Sequence, residues 1–114
     1  MRNLDYLKLY LVTDSGLSLG RPIDKVVERA VAGGVTVVQL REKTASTREF
    51  YKLAVRLKDI LRGTGVPLII NDRLDIALAC AAEGLHIGQS DMPYSVARKI
   101  LGPAKIIGLS TDTF

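Results

Sequence analysis

The chain has 114 residues, 47% hydrophobic and 25% charged, which is the balance of one soluble globular domain and excludes disorder and fibrous repeats. Its net charge of +4, from 16 basic and 12 acidic side chains, suits an anionic small molecule and is too mild and dispersed for nucleic acid. Aromatic residues make up 5% with no Trp, which argues against base-stacking platforms. No apolar run approaches the ~20 residues that cross a bilayer, and Met1-Arg2-Asn3-Leu4-Asp5 is not the start of a signal peptide. The lone Cys80 fits a reducing, cytoplasmic location.

Short apolar runs alternate with amphipathic segments. Leu7 to Val12 reads as a strand. Ile23, Val26, Val27, Ala30 and Val31 follow at helical spacing, with Pro22 in the first turn and Gly33-Gly34 as the stop. Val35 to Leu40 is the second strand. Ser46-Thr47-Arg48-Glu49 is a capping box that opens a helix with Phe50, Leu53, Ala54, Leu57, Ile60 and Leu61 on one face. After Gly63-Thr64-Gly65 comes the strand Pro67 to Ile70, then a helix over Leu74 to Ala82 and the strand Leu85-His86-Ile87. Pro93 opens a last helix through Leu101, and Ala104 to Leu109 is the final strand.

The pattern is an α/β (βα)4β unit, a single domain over residues 1–114. Helical crossovers imply a parallel sheet, expected to be buried on both faces. Two architectures fit: a flavodoxin-like doubly wound sheet, or the first half of a (βα)8 TIM barrel, whose full length is typically ≈ 250 residues.

Polar residues gather after each strand: Thr13-Asp14; Gln39 with Arg41, Glu42 and Lys43; Asn71-Asp72; Gln89-Ser90-Asp91; and Ser110-Thr111-Asp112. In both architectures ligands bind at that edge. If the second strand continues past Leu40, Gln39, Arg41 and Lys43 share a face and propose a phosphate or pyrophosphate subsite. If it ends at Leu40, Arg41 and Lys43 lie in solvent. Asp72 and Asp91 suit Mg²⁺ beside a polyphosphate, and either could equally cap the helix that follows it. His86 lies within a strand and reads as structural. No Walker loop or GxGxxG motif is present. A receiver-like signalling module would need an acidic pair after the first strand and a Lys at the end of the fifth; the chain has Thr13-Asp14-Ser15 and Lys105 at that strand's start.

In order along the chain stand Tyr10-Leu11-Val12-Thr13-Asp14, Val38-Gln39-Leu40-Arg41-Glu42-Lys43, Ile70-Asn71-Asp72-Arg73 with Asp75-Ile76-Ala77, Gly84 to Asp91, and Ile107-Gly108-Leu109-Ser110-Thr111. Together these motifs closely resemble the N-terminal half of the thiamin-phosphate synthase (thiamin-phosphate pyrophosphorylase) family. The resemblance implies a (βα)8 barrel and a transferase of thiamin biosynthesis, which joins hydroxymethylpyrimidine diphosphate to thiazole phosphate and releases pyrophosphate with Mg²⁺ as cofactor. It places Gln39, Arg41, Lys43 and Asn71 on the pyrimidine diphosphate, Ser110 near the pyrimidine and departing pyrophosphate, and Asp72 and Asp91 on the metal. Arg41, Lys43 and Ser110 are then the catalytic candidates. The diphosphate and metal residues favour the synthase over the thiazole tautomerase branch of the same superfamily. A further alternative is a non-catalytic anion-binding half-barrel.

Family chains are roughly twice this length, as a full barrel requires. The later strands, the lysine that reaches pyrophosphate and the loops for thiazole phosphate are not in this sequence, so the isolated chain is expected to lack efficient synthase activity. Open edges should drive a homo-oligomer or recruit a partner chain that completes the barrel. The opened interior should expose Leu9, Leu11, Val37 and Ile69.

Overall fold

The computed structural model of the chain describes residues 10–13, 22–88 and 92–109, and among these five strands alternate with four helices. The strands are β1 (Tyr10–Thr13), β2 (Val37–Leu40), β3 (Leu68–Asn71), β4 (Gly84–Ile87) and β5 (Ile106–Leu109). The helices are α1 (Ile23–Ala32), α2 (Thr47–Leu61), α3 (Leu74–Ala79) and α4 (Tyr94–Leu101). Every strand pair is parallel and the sheet order is β1-β2-β3-β4-β5. A flavodoxin-like sheet reverses direction once, so this order excludes it. Right-handed crossovers that always step the same way keep the helices on one face and roll the sheet.

That face holds the core. Val38, Leu40, Leu68, Ile70, Leu85 and Ile87 point from the sheet into a cluster with Ile23 and Val27 of α1, Phe50, Ala54, Leu57 and Leu61 of α2, Ile76 and Ala77 of α3, and Ala97 of α4. The expectation of a sheet buried on both faces holds fully only for this one, because no helix of the core cluster covers the other. The other face carries Tyr10, Val12 and Ile106, each about half exposed. Its centre is nevertheless closed: Val37 is 6% and Ile69 3% exposed, against the expectation that they meet water. Leu11 is also corrected, because it packs on the helix side. Leu9 lies outside the described residues.

The centre closes because Gly84 has no side chain. A Cβ there would stand 2.7 Å from Ile69 Cδ1 and 2.6 Å from the Ile106 carbonyl oxygen, so the glycine lets Ile69 lie across β4.

Local signals set the helix ends. The capping box at Ser46 forms in full, with the Glu49 N–H donating to Ser46 Oγ and the Ser46 N–H donating to Glu49 Oε1, both at 3.1 Å. Pro22 is the N-cap of α1 and Gly33 its C-cap. Helix α3 stops at Ala79, short of the expected Ala82. Ala81 turns into the left-handed region with φ 55°, and the Ala82 N–H returns to the Ala77 carbonyl at 2.9 Å, closing the helix early.

Glu83 ties the N-terminal edge together. It accepts the Leu68 N–H at 2.8 Å and the Lys58 ammonium at 2.6 Å, joining α2, β3 and the approach to β4. Burial disfavours its charge, but the Leu68 N–H and Lys58 outweigh that and hold the carboxyl below its ordinary value.

Two outcomes follow from this packing. Gly84→Ala should lower stability by about 1–3 kcal/mol, because one of the atoms it meets is backbone and cannot rotate away; urea unfolding measures it. A carboxyl whose folded pKa is depressed stabilises the fold above its unfolded pKa and loses that contribution as pH falls through the folded value. The stability advantage of the native chain over Glu83→Gln should therefore be full at pH 7 and shrink as pH drops below about 4.3; urea midpoints across a pH series report it.

Candidate functional site

Strand alternation places Gln39, Asn71 and His86 on the face away from the helices, at the C-terminal edge of the sheet. Gln39 is a buried polar residue, 5% exposed, and it is fully partnered there. Asn71 Nδ2 donates to Gln39 Oε1 at 2.9 Å, and Gln39 Nε2 donates to the Tyr10 hydroxyl oxygen at 3.0 Å. The polar row thus runs across β3, β2 and β1. Tyr10 is a member of the site that the sequence reading missed. Its signals were its place in the Tyr10-to-Asp14 motif and parity, since it shares a face with Val12, which pairs with Gln39.

Beyond β2 the chain leaves the sheet. The Arg41 N–H still donates to the Thr13 carbonyl at 2.9 Å, one step past the strand. The expected continuous face of Gln39, Arg41 and Lys43 is therefore corrected: β2 ends at Leu40. Lys43 comes from the following loop instead. It lines a cleft of about 340 Å³ together with Glu42, Ala45, Asn71, Asp72 and Arg73. Lys43, Asn71 and Asp72, three residues singled out from the sequence, therefore meet around one space. Arg41 is half-buried and does not line it. Ser110 and Asp91 lie outside the described residues.

The turn carrying Asp72 is locally unfavourable. Asp72 has φ 70°, in the left-handed region that costs a non-glycine residue roughly 1–2 kcal/mol, though Asp is among those that tolerate it best. Its N–H donates to the His86 carbonyl at 2.7 Å, which extends the β3–β4 ladder by one residue. Asp72 is not the N-cap of α3; that position is Arg73, whose own side chain makes no capping bond. The capping alternative for Asp91 falls outside the described residues, and the N-cap of α4 is Pro93.

Arg73 is held from several sides. Its Nε and Nη2 donate to the Asp75 carboxylate at 3.1 and 2.8 Å, and Nη2 also donates to Thr47 Oγ1 at 3.0 Å. The bond to Arg73 is the main reason the Asp75 carboxyl sits below its ordinary value, and the same pairing raises Arg73. His86 is half-buried and leans toward Gly108, where a Cβ would lie 2.6 Å from its Nδ1.

Chemically, the cleft sets an ammonium (Lys43), a guanidinium (Arg73), a carboxamide (Asn71) and two carboxylates (Glu42 and Asp72) against one volume. That set suits a phosphorylated ligand with a divalent cation. Mg²⁺ takes one or two carboxylates and completes its shell with phosphate oxygens and water, so Asp72 fits the role assigned to it and a larger acidic cluster is not needed. Among the described residues no group of three or more His, Cys, Asp or Glu is placed to hold a metal on its own. No described helix is long and apolar enough to cross a membrane.

The amide row makes a stability claim. Gln39→Leu should cost about 1–3 kcal/mol, because the Asn71 amide and Tyr10 hydroxyl each lose a partner. Tyr10→Phe should cost less, since Gln39 keeps Asn71. Urea unfolding of the two variants checks the order.

Comparison with known proteins agrees with this geometry. A family model described as thiamine monophosphate synthase matches residues 9–114. The thiamine-phosphate synthase of Syntrophomonas wolfei is 62% identical over 112 residues, covering 98% of this chain and 53% of that protein. That of Albidiferax ferrireducens is 56% identical over 110 residues, covering 96% of this chain and 50% of that one. Among solved structures, the thiamine phosphate pyrophosphorylase from Pyrococcus furiosus matches with a TM-score of 0.81 at 41% identity, over 90% of this chain and 49% of that one. The chain spans about half the length of the curated relatives it matches. By the match over nearly its whole length, the chain belongs to the thiamine monophosphate synthase family.

Proposed function

We propose that the chain supplies the pyrimidine-diphosphate part of a thiamine-phosphate synthase site, in the Mg²⁺-dependent condensation of hydroxymethylpyrimidine diphosphate with thiazole phosphate. The observation that carries this reading is the cleft where Lys43, Asn71 and Asp72 converge at the C-terminal edge of a sequentially ordered parallel sheet.

In this reading Gln39 and Asn71 orient the pyrimidine through amide groups already aligned by their mutual bond. Lys43 offsets the charge that develops on the pyrophosphate as the carbon–oxygen bond breaks and the electron pair leaves with it; the family resemblance gives Arg41, which does not line the cleft, the same role from outside it. The thiazole nitrogen then forms the new carbon–nitrogen bond. Ser110, outside the described residues, has its role beside the pyrimidine and the departing group from the family resemblance alone. Asp72 and Asp91 would hold Mg²⁺, which supplies charge neutralisation at the diphosphate when bound. No protein base is needed, and none of these roles calls for one. The chain acts as one domain over residues 1–114. The outer edges of β1 and β5, with the half-exposed Tyr10, Val12 and Ile106, favour association with a second copy or with a chain that completes the barrel.

Calorimetry with inorganic pyrophosphate tests the reading. Binding is expected to require Mg²⁺, and Lys43→Ala or Arg41→Ala should weaken it by roughly 1.5–3 kcal/mol, the range for a hydrogen bond to a charged group. Affinity that ignores both the metal and these substitutions would overturn the site.

A further inference from the structure

Two local rules are broken in succession at the end of β3. Asp72 adopts a left-handed backbone, and Arg73, a residue type that does not cap helices, occupies the N-cap of a six-residue helix. Sequences that contradict local preference at adjacent positions do so where tertiary contacts and function over-determine the conformation.

Here the tertiary contacts converge on Arg73. Its guanidinium makes three contacts on two helices: Asp75 in the first turn of α3, and in α2 both Thr47 and the ring of the fully buried Phe50, 5.7 Å away. Its own N–H donates to the Asn71 carbonyl at 2.9 Å, while the Asp72 N–H donates to His86. The turn is thus fastened to β4 on one side and, through Arg73, to α2 on the other. Asp72 lies between the two anchors and lines the cleft with Lys43 and Asn71.

We propose that Arg73 is a positioning residue for Asp72: a strut from the β3–α3 turn to the start of α2 that holds the Asp72 carboxylate in the orientation that receives the divalent cation. The inference rests on the metal role given to Asp72 above. A lysine cannot replace the strut, because a single ammonium lacks the planar fork that engages Asp75 and Thr47 together. The Thr47 hydroxyl is the strut's far foothold, so removing it should produce part of the same effect.

The test is an electron paramagnetic resonance titration of the full chain with Mn²⁺ and inorganic pyrophosphate, Mn²⁺ standing in for Mg²⁺ as another cation that prefers oxygen ligands. Arg73→Ala should weaken Mn²⁺ binding about tenfold, Arg73→Lys should fail to restore it, and Thr47→Val should weaken it less. In an Asp72→Asn background, where Asn still tolerates the left-handed backbone, adding Arg73→Ala should have little further effect. Urea unfolding of each variant identifies any that is not folded, and Thr47→Val tests the strut should Arg73→Ala fail to fold. An unchanged affinity in Arg73→Ala overturns the strut and leaves the metal site standing. An equal loss in the Asp72→Asn background also overturns it, since Arg73 would then act on the pyrophosphate directly. If the native chain binds no Mn²⁺ with pyrophosphate, the metal reading itself fails and takes this inference with it.

Discussion

Parallel strands laid down in sequence order, each one step further along in the same direction, impose the constraint that everything else obeys. Because the crossovers share one hand, the helices are confined to one face, and that face alone can be a continuous apolar core. Parity then assigns every strand residue. Val38, Leu40, Ile70 and Leu85 must face the helices, so Gln39, Asn71 and His86 must face away. A one-residue slip in β2 would push Gln39 into the apolar core and turn Leu40 out of it, which ties the placement of the polar row to the burial of the core.

The polar face is organised by its own bonds as much as by the sheet. Asn71, Gln39 and Tyr10 satisfy one another in a line across three strands, so a buried amide sits there without an unpaired group. Glycines complete the arrangement. Gly84 admits Ile69 beneath the polar row, and Gly108 leaves room for the His86 imidazole. The site therefore rests on a floor of close contacts, and the unfavourable backbone at Asp72 is concentrated at its rim.

The two edges of the sheet differ in purpose. At the N-terminal edge, Glu83 joins Lys58 to the Leu68 backbone, a contact whose consequence is stability. At the C-terminal edge, Arg73, Asp75 and Thr47 brace a turn that carries a carboxylate into a cleft. Stability contacts at one end and chemistry at the other follow from the crossovers, which bring the chain out of every strand at the same edge.

Much of this was legible in the residues themselves. The (βα)4β pattern came from periodicity, and the capping box at Ser46 and the stop at Gly33 came from local backbone chemistry, which needs no distant partner. The motifs around Gln39, Asn71 and Asp72 carried the family resemblance. Three matters depended on tertiary structure. Sheet order is a choice among crossover directions that the same strands and helices allow, so only the assembled sheet could reject the doubly wound arrangement. The end of β2 at Leu40 separated Arg41 from Lys43, because strand length is set by the neighbour available for pairing and not by the run of side chains. The roles of Tyr10 and Arg73 rest on contacts across 29 and 26 positions of chain, and no local pattern encodes a bond over that distance.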